Sequence, residues 1–372
     1  MKNFEELGIN KDLVKGLADL NIIRPTEIQE KVIPVLLEGN TDLIGQATTG
    51  TGKTAAYGLP LLLKINPDKN EVQALILCPT RELSQQVAKQ LFRFTKYYSK
   101  IFTESVYGGE YIGKQITSLQ RPTHIVVATP GRLIDLLKRK ALNLSSVKII
   151  ILDEADEMLS RGFKAELEEI MSILPYTKNK WLFSATMPQG IQHIIKRYMS
   201  PNAVRIKESG KNVINKKITH QYLICDEQEK LNKLLQFLAS EKENRGLVFC
   251  RTKGATQKLA KQLIAKNIAC DAIHGDLLQK ERDKVMRAFK NKTLQFLVAT
   301  DVAARGIDIE ALAFVVHFQL PENDEYYTHR SGRTARAGKE GISLCFVNTP
   351  ELKVLKNYEQ SLNIEFKQIT QL

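Results

Sequence analysis

Short apolar runs recur along this chain, each followed by a polar loop and then a longer stretch with helical periodicity. In the first half the runs are 42–45, 74–77, 124–128, 149–152 and 181–183. In the second they are 246–250, 269–273, 296–299, 313–317 and 342–347. Continuous apolar runs of this length fit strands buried on both faces. Their alternation with helical stretches predicts parallel α/β sheets. Between the two sets, residues 208–217 are polar, contain a glycine and show no apolar periodicity, so they read as a linker. The expected organisation is therefore 1–207, a linker 208–217, and 218–372, with two halves of one architecture.

Two loops placed by this pattern carry chemistry. After the first run comes Ala47-Thr48-Thr49-Gly50-Thr51-Gly52-Lys53-Thr54. Its glycines let backbone N–H groups approach an anion, Lys53 can reach β/γ-phosphates, and the Thr54 hydroxyl can hold Mg²⁺. The general phosphate-loop pattern begins with Gly, where this chain has Ala47. After the 149–152 run comes Asp153-Glu154-Ala155-Asp156, at the strand end where open α/β sheets bind ligands. Two acids there could simply stabilise a helix N-terminus. Beside a phosphate loop they read as a metal-holding Asp153 and a Glu154 that orients or deprotonates water. Phosphoryl transfer needs further positive charge, and the second half offers it in Arg330, Arg333 and Arg336, spaced to share one helical face.

Composition narrows the class. At 43% hydrophobic and 26% charged, the chain has a globular make-up, and no apolar run approaches a membrane span. The N-terminus lacks the apolar stretch of a secretory signal. The five cysteines form no CxxC pair, so reduced thiols in a cytoplasmic protein are expected, without zinc. The net charge of +13 is spread as +7 over 1–207 and +6 over 208–372, which suits a polyanion contacting both halves.

In order along the chain, these motifs resemble the DEAD-box ATP-dependent RNA helicases of helicase superfamily two. The tetrapeptide 153–156 gives that family its name, and its phosphate loop begins with Ala. Pro79-Thr80-Arg81-Glu82-Leu83, Gly108-Gly109, Thr129-Pro130-Gly131-Arg132 and Ser184-Ala185-Thr186 follow the family order. So do His274-Gly275-Asp276, Gln279 with Arg282, the 299–308 segment and the 329–338 segment. The resemblance implies two tandem RecA-like domains in an α/β class and RNA-stimulated hydrolysis of ATP with Mg²⁺. It implies lobe closure on single-stranded RNA and local, poorly processive unwinding or RNA–protein remodelling; an ATP-gated RNA clamp with slow hydrolysis is the alternative.

It also implies site residues. Phe4, Arg24 and Gln29 would form the adenine-reading Q motif, in which Asn21 stands where relatives often carry Gly. Asp308 would contact the ribose, and Arg333 and Arg336 would act as arginine fingers. Pro79, Thr80, Arg81, Gly109, Thr129, Gly131 and Arg132 in the first half would hold RNA. Arg251, Gly254, His274, Gly275, Arg282, Thr300 and Asp301 would do so in the second. Asp156, Ser184, Thr186 and His329 would couple the halves. A monomer is expected. The sequence runs to Gln371-Leu372 without a basic tail, so recruiting protein partners, or an extension outside it, are expected to choose the RNA.

Overall fold

The computed structural model describes residues 2–48, 50–174, 177–208, 217–241, 244–304, 312–335 and 340–370, leaving aside the side chain of residue 302. They form two units, Met1–Ser209 and Gly210–Leu372. The first unit contains β1 (Leu43–Gln46), β2 (Ala74–Leu77), β3 (Thr103–Val106), β4 (Ile125–Ala128), β5 (Ile149–Leu152), β6 (Asn179–Ser184) and β7 (Val204–Lys207). They form one sheet in the order β3-β4-β2-β5-β6-β1-β7, with parallel pairing throughout. The second unit contains β8 (Ile218–Ile224), β9 (Gly246–Phe249), β10 (Cys270–Ile273), β11 (Phe296–Ala299), β12 (Phe314–His317), β13 (Gly341–Val347) and β14 (Phe366–Gln368). Their order is β10-β11-β9-β12-β13-β8-β14, again parallel. Numbered from the first strand that follows the same helix pattern in each unit, the central strands β4-β2-β5-β6 and β11-β9-β12-β13 occupy corresponding places.

The central strands are apolar because both their faces are covered. Along β5, Ile149 and Ile151 enter one core cluster while Ile150 and Leu152 enter another on the opposite face. The same alternation divides Val248 from Leu247 and Phe249 in β9. Burying four such side chains at about 1.5–3 kcal/mol each makes a strand like β5 a rigid base for the loop at its end. In a parallel sheet all strand ends of one kind lie on one edge, so the loops after β1, β2, β4, β5 and β6 share a rim.

Four strands lie outside the expected set: β3, β7 and β14 at or next to sheet edges, and β8. Within 181–183 and 342–347 the expected strands are each extended by one or more residues. No helix among the described residues is long and apolar enough to cross a membrane.

Candidate active site

The phosphate loop leaves β1 and enters the helix Lys53–Lys64, whose first N–H groups lack intrahelical partners and so can serve an anion. Gly50 and Gly52 have φ of 87° and 90°, values that cost a side-chain-bearing residue heavily. A Cβ at Gly50 would meet open space, whereas one at Gly52 would lie 2.3 Å from Gln29 Nε2. Lys53 is buried, and its Nζ donates to Ala47 O at 2.9 Å, so the ammonium is held within the loop it serves. The Thr51 hydroxyl donates to Thr48 O at 2.9 Å. Thr49 lies outside the described residues.

The Q-motif residues brace this loop. Gln29 accepts from Thr26 N–H at 2.9 Å and donates from Nε2 to Gly52 O at 3.0 Å, while the Thr26 hydroxyl donates to Thr51 O at 2.8 Å. Each polar end of Gln29 thus makes one bond to protein, which fixes the amide plane and leaves its second N–H and second lone pair for a base edge. Asn21 has φ 57°, the left-handed geometry that Asn tolerates. Arg24 is exposed. Phe4 is 2% exposed, and its ring packs in the hydrophobic core of the first unit.

Asp153 follows β5, and β6 alone separates β5 from β1 in the sheet. At the usual strand spacing the two loop starts are roughly 10 Å apart, room for a polyphosphate. Asp153 is buried. Oδ1 accepts from the Glu154 N–H at 3.0 Å and Oδ2 from the Tyr57 hydroxyl at 2.8 Å. Burial pushes its carboxyl up to about 6; the nearby Lys53 charge acts downward and Glu154 upward. Glu154 itself has φ 50° and ψ 53°, a left-handed conformation that costs a glutamate about 1–3 kcal/mol and sets its side chain at the mouth of the helix Ala155–Ser160. The fourth member, Asp156, turns inward. Its Oδ2 accepts from both the N–H and the hydroxyl of Thr186 at 2.9 Å. Its N–H donates to Ser184 Oγ at 3.1 Å, and that hydroxyl donates to Thr186 O at 2.7 Å. Ser184 O in turn accepts from Ala47 N at 3.1 Å, so this network reaches the start of the phosphate loop.

Hard oxygen donors such as Thr54 and Asp153 are what Mg²⁺ takes. A carboxyl withdrawn from water at the head of a phosphate-loop rim is a place where a divalent cation fits. Tyr57 was missed in the sequence, although its spacing of three from Thr54 on a helix puts the two side chains on one face.

A second group follows corresponding strands, part of it on this rim and part on the separate sheet of the second unit. Thr80 caps the helix Arg81–Phe94 after β2, its hydroxyl accepting from Leu83 N, and Thr252 caps Lys253–Ile264 after the equivalent β9, accepting from Ala255 N. Thr129 and Thr300 likewise follow the equivalent strands β4 and β11 and precede the helices Pro130–Lys138 and Asp301–Ala304. Pro79 sits just before the Thr80 cap in a buried turn. Gly109 has φ 84°, and a Cβ at Gly131 or Gly254 would meet open space. Arg81 lies over the Tyr107 ring at 4.6 Å.

Other residues of the set are engaged with protein. Arg132 donates to Gln115 Oε1 and Glu110 O, each at 2.9 Å. Arg282 donates to Ala303 O at 2.7 Å, and Arg251 donates to Leu320 O. His274 is buried with Nδ1 unpartnered, and a Cβ at its neighbour Gly275 would touch Lys253.

The arginine motif differs from the expected helical face. The helix Asp324–Ser331 ends at Gly332, so Arg330 is helical while Arg333 sits in the following turn, also buried. Arg330 points into the core and clamps both oxygens of Asp301 at 2.6 and 2.7 Å, which removes that carboxylate from the open rim. His329 is buried near Glu325, 3.8 Å away. Arg336 and Asp308 lie outside the described residues.

Comparison with known proteins agrees with this layout. Residues 26–194 match the DEAD/DEAH box helicase family model, and residues 229–338 match the helicase conserved C-terminal domain. The chain is 42% identical over 97% of its length to the DEAD-box ATP-dependent RNA helicase CshA of Bacillus cereus, covering 68% of that protein. The Listeria monocytogenes ATP-dependent RNA helicase CshA is 43% identical over 97% of this chain and 69% of its own. Among solved structures, S. cerevisiae Dbp5 bound to RNA and ADP BeF3 aligns with a TM-score of 0.91 at 30% identity, over 100% of this chain and 96% of that one. Mss116p bound to ssRNA and AMP-PNP aligns with a TM-score of 0.87 at 29% identity, over 99% and 79%. The two seven-stranded parallel sheets are the two RecA-like domains of these helicases, and the chain belongs to the DEAD-box family of ATP-dependent RNA helicases.

Proposed function

We propose that this chain hydrolyses ATP on its first unit when single-stranded RNA draws the two units together, and that this cycle opens short duplexes or remodels RNA–protein complexes. The observation that carries the reading is the pairing, on one sheet rim, of a phosphate loop with a buried carboxylate, Asp153, close enough to feel the Lys53 charge.

Lys53 and the loop N–H groups bind the phosphates, Lys53 exchanging its contact with Ala47 O for a phosphate oxygen. Thr54 and Asp153 hold Mg²⁺, which when bound neutralises phosphate charge and polarises the scissile phosphoryl group. Glu154, strained into position, orients the attacking water and takes its proton. Gln29 and Arg24 recognise adenine, and Asp308 the ribose. Arg333 and Arg336 supply charge to the γ-phosphate after closure, a contribution of roughly 10³–10⁵ in rate for groups of this kind. Thr80, Thr129 and Thr300, each just before a helix, with Gly109, Gly131, Gly254 and Gly275, seat the sugar-phosphate backbone, so binding is largely independent of sequence. Pro79, Arg81, Arg132, Arg251, His274 and Arg282 shape or charge that surface. Asp301 acts through Arg330. The Asp156–Ser184–Thr186 network and His329 link RNA contact to nucleotide state. Residues 1–207 and 218–372 are the two helicase domains, joined through 208–217. The protein works as a cytoplasmic monomer, with protein partners choosing the RNA.

Disrupting a base-pair step costs about 1.4 kcal/mol by the DNA value, so a closure coupled to one ATP opens only a few. The deciding measurement sets RNA-stimulated turnover beside strand release from tailed duplexes of increasing length. Release should fall steeply with length. RNA-independent turnover, or single-encounter opening of duplexes of hundreds of base pairs, would refute the reading; turnover without any strand release would favour a clamp.

A further inference from the structure

Among the described residues, Tyr57 contacts a proposed metal-holding side chain and has no role in the chemistry above. It lies one turn into the helix that begins at Lys53 and is fully buried. Its ring packs at a tilt against Phe183, with centroids 5.2 Å apart, and Phe183 is itself held because it fills the space over Gly45. The phenol position is thus fixed by packing on strands β1 and β6, which flank the site. From that anchor the hydroxyl donates to Asp153 Oδ2 at 2.8 Å.

A carboxylate at the start of a loop rotates easily about χ2, and its plane decides which lone pairs face a ligand. Here the backbone N–H of Glu154 fixes one oxygen and Tyr57 fixes the other, leaving the remaining lone pairs with a single direction. Support of this kind, one shell behind the ligands, commonly tunes metal affinity by roughly 10–100-fold.

We infer that Tyr57 is a positioning residue that holds the Asp153 carboxylate plane and so sets the divalent-cation affinity of the nucleotide site. The inference rests on the reading of Asp153 as the metal-holding carboxylate.

The test uses the full chain and its Tyr57→Phe variant, which keeps every ring carbon and so keeps the packing on Phe183. Free Mn²⁺ is counted by electron paramagnetic resonance as it is titrated into protein with saturating ADP. The variant should bind Mn²⁺ about tenfold more weakly. It should need about tenfold more Mg²⁺ for half-maximal turnover, and it should recover at least half the wild-type kcat when Mg²⁺ saturates. Trp181 emission, which reports the first unit, should melt within a few degrees of wild type. Unchanged Mn²⁺ affinity overturns the inference, as does a kcat loss that saturating Mg²⁺ does not repair. Asp153→Asn separates the two readings: if it leaves Mn²⁺ affinity intact, the assignment of Asp153 has failed; if it abolishes binding while Tyr57→Phe changes nothing, only the role of Tyr57 has.

Discussion

Arg330→Met should destabilise the second unit while leaving the first as an internal reference. Arg330 is 1% exposed, and its guanidinium makes two hydrogen bonds to the Asp301 carboxylate, one to Gln319 O at 2.7 Å and one with His317 Nδ1 at 3.5 Å, with the Phe249 ring 5.0 Å from its carbon. Methionine replaces the stem and some of the packing but strands Asp301, whose side chain is 16% exposed. Breaking a buried pair by removing one partner costs about 3–5 kcal/mol. Because Asp301 regains some water, the lower end of about 3 kcal/mol applies. With a urea slope of about 2 kcal/mol/M, the midpoint of the second-unit transition should fall by about 1.5 M. Far-UV circular dichroism reads both units, whereas emission of the single tryptophan, Trp181 in β6, reads the first. The circular-dichroism curve should therefore gain an early phase while the emission midpoint stays in place. Arg330→Met/Asp301→Asn removes the stranded charge and should recover about 1 kcal/mol or more. A shift below about 0.3 M, or a double variant no more stable than the single, would refute the reasoning that an uncompensated buried charge dominates the loss.

Glu154→Gln should lower RNA-stimulated kcat by roughly 10²–10⁴ while a fluorescent ATP analogue still binds within about threefold of wild type. Glu154→Gly should also be inactive, yet Trp181 emission should report a first unit more stable by about 1 kcal/mol, because glycine relieves the left-handed strain at φ 50°. Gly52→Ala places a methyl group 2.3 Å from Gln29 Nε2 at a φ of 90°, so nucleotide affinity by equilibrium titration should fall at least about tenfold. Acid should loosen the second unit. Burial depresses His220 to about 4 and, with the Arg330 and His220 charges adding to it, holds His317 well below its ordinary value. Unfolded histidine takes up a proton near 6.5, so this stability is complete above about pH 6.5 and is lost as pH falls toward 4. For His220 that amounts to about 3 kcal/mol, readable as a drop in urea midpoint between pH 7 and 4.5.

Burial decides which strands could be read from the sequence. Strands such as β2, β5 and β11 carry uninterrupted apolar residues because helices cover both faces, and each announces itself without any partner being known. β3 and β7, at or near the sheet margins, interleave Thr, Glu, Arg and Lys with apolar residues, since part of each is solvated. β8 pairs on both sides yet carries Thr219, His220 and Gln221. Its polar His220 is accommodated by a hydrogen bond with the Tyr327 hydroxyl that only the fold reveals.

The same division holds at the site. Loops that must bind phosphate or metal have restricted chemistry and so can be read locally, as at Gly50, Gly52, Lys53 and Asp153. Contacts between distant segments cannot: nothing in one dimension brings residue 57 to residue 153, or residue 330 to 301. The helical reading of the three arginines failed for a local reason. The helix ends at Gly332, and a glycine after a polar final turn is itself a stop signal in the sequence.

The repeated strand order has a consequence for selectivity. At corresponding strand ends each sheet sets a threonine just before a helix, Thr80 and Thr129 in the first unit and Thr252 and Thr300 in the second. On the proposed reading, the groups such positions offer a sugar-phosphate chain are hydroxyls and backbone N–H, which meet every nucleotide alike and rank no base above another. Whatever selects an RNA would then act by bringing it there.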